Sequence, residues 1–152
     1  MKLAEALILR SDCKKRLEQL KARLLRNAKV QEGDQPAEDP LELLAEFERV
    51  AREFADLVKR INRTNSATLF GDGLNVSDAL AERYAVALRY RLYNDLAQAA
   101  STTQMRMTRT EIKYQSAVSV ADAQRQADQL AREYRVLDAR VQELNWQTDL
   151  VE

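Results

Sequence analysis

The chain has 152 residues and a mass of 17.4 kDa, enough to bury one hydrophobic core without disulfide or metal staples, so a single domain over 1–152 is expected. Three glycines and two prolines against 45% hydrophobic and 32% charged residues exclude a turn-rich all-β chain and point to an all-α fold. The 24 basic and 24 acidic side chains cancel and histidine is absent, which argues against a nucleic-acid partner and removes both the usual general base and the Glu-x-x-His metal pairs of ferritin-like bundles.

The first helix is expected from about Lys2 to Asn27. Leu3, Ala6, Cys13, Leu17, Leu20 and Leu24 form one apolar stripe, with Arg10 intruding as a polar seam residue that can set register. Met1 to Val30 holds nine basic and three acidic groups, net +6, whereas Gln31 to Val58 holds nine acidic groups and two arginines, net −7. Consecutive helices of opposite charge favour antiparallel pairing. The Lys14-Lys15-Arg16 run could contact nucleic acid, but the neighbouring acidic helix cancels its field. Cys13 is the only cysteine and reads as a packed, unreactive thiol, giving no support to secretion. Glu5 interrupts the apolar start, so neither a signal peptide nor a membrane span is expected there.

After a polar connection at Val30 to Glu38, Asp39, Pro40 and Glu42 supply a cap, a first-turn proline and an acid three residues after the cap. The second helix then carries Leu43, Phe47, Val50, Phe54, Leu57 and Ile61 at 4-3 spacing and fades by Ala67. Gly71, Asp72 and Gly73 make a turn, and Ser77 is the expected cap of the third helix, which runs to about Ala100. That helix is apolar around much of its circumference, which suggests two buried faces, one against its own bundle and one against another subunit. Tyr84, Tyr90 and Tyr93 are the expected oligomer contacts.

Ser101 to Val118 loses helical periodicity. Met105-Arg106-Met107 and Ile112-Lys113-Tyr114 alternate, which is compatible with a small β-hairpin or an extended arm. Ser119 with Asp122 opens the last helix, whose seam of Ala123, Ala127, Leu130, Tyr134, Leu137, Val141, Leu144, Thr148 and Val151 is of coiled-coil type. Long helices joined by short connections close most simply as an antiparallel up-down four-helix bundle.

No Gly-rich phosphate loop, zinc spacing or nucleophile elbow is present, and the acids fall mostly off the seams. Catalytic residues, a metal site and a cofactor are therefore not expected. In an up-down bundle the end of the second helix, the start of the first and the close of the last share one pole. Glu5, Arg10, Asn62, Arg63, Asn65, Asn145 and Trp146 would meet there as a polar ligand pocket or docking patch. The structural alternative is that the amides cap helix ends while Glu5 and Arg10 pair in the seam.

Several stretches together resemble a family of uncharacterised small bacterial helical proteins, some labelled septicolysin. They are Met1 to Arg10, Asn27 to Gly33, Glu38-Asp39-Pro40, Arg60 to Asn65, Glu111-Ile112-Lys113 and Gln142 to Trp146. The resemblance implies no catalytic residue, and its label implies a pore-forming toxin. The residues themselves lead to a cytoplasmic, non-enzymatic, self-assembling helical scaffold or docking module, most simply a homo-oligomer, with no membrane partner. The alternative is a ligand-binding or enzymatic protein that uses the polar pole, and the toxin is third.

Overall fold

The computed structural model describes residues 1–101, 112 and 114–152. Among these the chain forms four helices, α1 (Leu3–Arg26), α2 (Pro40–Ala67), α3 (Val76–Ser101) and α4 (Val120–Gln147), and a two-stranded hairpin of β1 (Leu69–Gly71) and β2 (Leu74–Asn75) between α2 and α3. The alternating stretches expected to form an arm before α4 lie, apart from Ile112 and Tyr114, outside the described residues; those two are exposed and irregular. The chain divides into two compact units, Met1–Leu69 with Gln142–Glu152, and Phe70–Val141.

Local chemistry sets the helix ends. The Asp39 carboxylate accepts from the Leu41 amide at 2.9 Å, with Pro40 at the first helical position where a missing N–H costs nothing. Ser119 caps α4 by accepting from the Asp122 amide at 3.2 Å. The expected cap of α3 moves from Ser77 to Asn75: the Asn75 side chain accepts from the Asp78 amide and the Asp78 carboxylate from the Asn75 amide, both at 3.0 Å. Two reciprocal bonds satisfy two orphan donors, and the hairpin delivers the chain so that Asn75, two residues before Ser77, makes them. Asp72 and Gly73 connect the strands with φ of 51° and 79°. Positive φ at both central residues is the type I′ geometry whose twist matches paired strands, and Asp-Gly is its preferred sequence.

In the first unit, α1 and α2 pack closely and antiparallel. Arg16 pairs with Glu46, and Arg23 with Glu38 through Nε at 3.1 and 3.2 Å to its two oxygens. Residue numbers rise along one helix as they fall along the other, as the opposite charges of the two segments anticipate. Leu20, Leu43 and Val50 form one buried cluster, joined by Cys13, Leu17, Leu24 and Phe47; Leu3, Ala6, Ile61 and Leu150 form another, joined by Leu7 and Leu57. Every seam residue expected on α2 is at least half-buried. Asn27 closes α1: its amide nitrogen donates to the Arg23 carbonyl at 2.9 Å while its oxygen accepts from the Glu38 amide at 3.1 Å. One side chain thus satisfies a helix end and anchors the connection to α2.

Along α4 the burial follows the 4-3 pattern. Ala123, Ala127, Leu130, Val141 and Leu144 are buried and Tyr134, Leu137 and Thr148 half-buried; Val151, beyond the helix, is exposed.

Candidate functional site

Chain ends and the end of α2 meet within the first unit. The Leu3 amide donates to the Thr148 carbonyl at 2.9 Å and the Leu150 amide to the Met1 carbonyl at 2.8 Å, an antiparallel bridge at Lys2 and Asp149. The Lys2 ammonium reaches the Asp149 carboxylate at 2.9 Å and the Gln147 carbonyl at 3.1 Å. Its proximity holds the Asp149 carboxyl below its ordinary range, chiefly through the hydrogen bond. Thr64, fully buried, donates its hydroxyl to the Arg60 carbonyl at 2.8 Å and accepts from the Val151 amide at 3.0 Å. Arg60 Nε adds a bond to the Val151 carbonyl at 3.1 Å.

The polar joint is therefore carried by Lys2, Arg60 and Thr64. Thr64 was legible in principle, since it continues the 4-3 series Leu57, Ile61, Thr64 and is the polar member of that seam. Of the seven side chains expected at the pole, Glu5 accepts from the Lys2 amide at 2.7 Å, which completes the start of α1. Arg10 and Asn65 are half-buried, Asn62, Arg63 and Trp146 exposed, and Asn145 buried. No hydrogen bond or ion pair joins any two of the seven among the described residues. Every fully enclosed polar side-chain atom among the described residues has a hydrogen-bond partner.

The second unit offers two other features. On α3, Ala79, Val86 and Ala97 are buried, whereas Tyr84, Leu88 and Leu92 are 65%, 47% and 64% exposed. At about 100° per residue, these three fall in one stripe roughly opposite the buried face. The three tyrosines expected at an interface do not share it: Tyr90 and Tyr93 lie about 240° and 180° around the helix from Tyr84, and Tyr93 is half-buried. Tyr90 instead lines a groove of about 360 Å³ together with Ala87, Arg91, Ala131, Tyr134 and Arg135. Beside it, Arg83 pairs with Asp138 and lies over the Tyr134 ring, 5.9 Å from its centroid, a cation–π contact that fixes the ring. The sequence reading missed the groove because it joins residues about 44 positions apart. Its one local signal was the pattern Ala-x-x-Tyr-Arg, present at both 87–91 and 131–135.

Among the described residues no group of three or more His, Cys, Asp or Glu is placed to hold a metal ion, and no helix is long and apolar enough to cross a membrane.

A family model described as a family of unknown function (DUF6847) matches residues 10–150. The chain is also similar to a functionally unknown conserved protein from Corynebacterium diphtheriae, known from a crystal structure: 48% identity, 99% of each chain covered and a TM-score of 0.94. No curated protein matches the chain. The label septicolysin, implied by the resemblance noted above, is carried by neither description.

Proposed function

The chain belongs to the DUF6847 family of unknown function, and from that premise we propose that it is a non-enzymatic helical scaffold that assembles with copies of itself through the outer face of α3. One observation carries the reading: the exposed stripe Tyr84, Leu88 and Leu92, opposite a buried face on the same helix. A contiguous apolar strip on a long helix is the kind of surface that proteins cover. A tyrosine at its end supplies the amphipathic aromatic typical of interfaces. A two-fold pairing of the stripe with itself needs no second protein, because a self-complementary patch closes a symmetric dimer.

The same reading orders the four helices up and down, with antiparallel α1 and α2 as its first step, and assigns the cytoplasm as compartment, consistent with the lone free thiol of Cys13. Light scattering on dilute protein at physiological salt tests the assembly. A mass near the 17.4 kDa chain refutes it; a multiple supports it. Tyr84→Glu combined with Leu88→Glu then lowers the mass to that of one chain while the circular dichroism spectrum keeps its helical form.

A further inference from the structure

We propose that the groove between α3 and α4 binds a small organic anion with a flat, aromatic body. Its walls repeat one motif from each helix: Ala87, Tyr90 and Arg91 from α3, and Ala131, Tyr134 and Arg135 from α4. The alanines contribute little bulk and the tyrosines supply ring surface, a lining suited to a planar apolar group. At about 360 Å³ the space lies at the small end of ligand-sized pockets, roughly 300–1,000 Å³.

The charges select the sign of the occupant. Arg83, at the side of the groove, is neutralised by Asp138. Arg91 and Arg135 line the groove itself and enter no ion pair among the described residues. Both guanidinium groups border one small cavity, so an anion in it meets two positive charges. Each planar fork can donate two parallel N–H bonds to a carboxylate, phosphate or sulfonate, and each can also stack on an aromatic face. The Arg83–Asp138 pair and the stacking of Arg83 over Tyr134 hold one wall in place before any ligand arrives, which limits the ordering cost of binding.

The test uses the full chain and 8-anilinonaphthalene-1-sulfonate as an aromatic anion, N-phenyl-1-naphthylamine as its uncharged counterpart, and inorganic phosphate as an anion without a ring. The expected result is saturable binding of one sulfonate probe per chain, followed by fluorescence. The uncharged probe and phosphate each bind at least about tenfold more weakly, because each forgoes one half of the recognition. Arg91→Gln with Arg135→Gln weakens the sulfonate by about tenfold or more and leaves the uncharged probe unchanged. Ala131→Leu, which fills the groove and keeps both arginines, weakens the two ring-bearing probes alike. Equal affinity of the double variant and the parent for the sulfonate overturns the proposal, as does equal affinity of the parent for the charged and uncharged probes. Non-saturable binding also overturns it. Tyr84→Glu, on the outer stripe of α3, leaves sulfonate binding intact, which separates this site from self-assembly.

Discussion

Replacing Ile61 by alanine probes the joint that holds the chain ends to α2. Ile61 is 1% exposed and packs with Leu3, Ala6 and Leu150, flanked by Leu7 and Leu57. The change removes three carbons from a buried side chain, a transfer loss of about 2.4 kcal/mol at about 0.8 per carbon. With the residual cavity included, changes of this kind cost about 2–5 kcal/mol overall. For a chain of this size each kcal/mol lowers Tm by about 2–4 °C, so the expected fall is roughly 4–20 °C. Leu41→Ala, at a position that is 75% exposed on the first turn of α2, should stay within about 0.5 kcal/mol of the parent. Thermal melts and urea midpoints of the three proteins decide the matter. Amide exchange adds a local reading: the Leu3 and Leu150 amides, which bond to Thr148 and Met1, should exchange faster in Ile61→Ala. A Tm within about 2 °C of the parent would refute the packing argument, because no Ile-to-Ala change at a fully enclosed site is that mild.

Thr64→Val keeps shape but removes the hydroxyl that serves Arg60 and Val151, so a loss of about 1–2 kcal/mol is expected; unchanged stability and unchanged exchange at the Val151 amide would contradict its role. Acidification should destabilise the fold. Hydrogen bonds from Arg23, Arg16 and Lys2 hold the Glu38, Glu46 and Asp149 carboxyls below their ordinary values. Their stabilisation is therefore complete above the unfolded carboxylate range of about 4 and is lost as pH falls through the lowered folded values. Melts in dilute buffer should be flat from about pH 7 to 5 and drop below about 4; a Tm that rises there would reverse the sign. Gly73→Ala, at φ 79° in the hairpin turn, should cost about 1 kcal/mol, whereas Asp72→Gly should be nearly neutral; equal melts for Gly73→Ala and the parent would exclude the type I′ turn as a stabilising element.

The sequence by itself determined the features set by residues close together in the chain. A seam repeats every three or four residues because a helix turns every 3.6, so the buried positions of α2 and α4 were legible without a fold. Asp39 and Ser119 were legible as caps because a cap bonds only two or three residues ahead. The opposite charges of the first two helices anticipated their antiparallel pairing through Arg16–Glu46 and Arg23–Glu38, since ion pairs need only complementary faces of adjacent elements. Even so, the α3 cap fell to Asn75 rather than Ser77, because the geometry of the hairpin decided which polar residue stood at the helix entrance.

Tertiary structure alone decided which of several plausible polar groups were used and which apolar faces stayed open. At the pole the sequence pointed to asparagines, yet backbone bonds of the terminal segment, Lys2 and Thr64 make the joint, because such bonds depend on where distant chain ends arrive. The tyrosines of α3 looked equivalent in sequence. Packing buried the side bearing Ala79, Val86 and Ala97, left Tyr84 on the outer stripe and put Tyr90 in a groove with Tyr134. Periodicity assigns each residue an angle on its own helix; only the neighbouring helix determines which angles are covered, and which become a cavity.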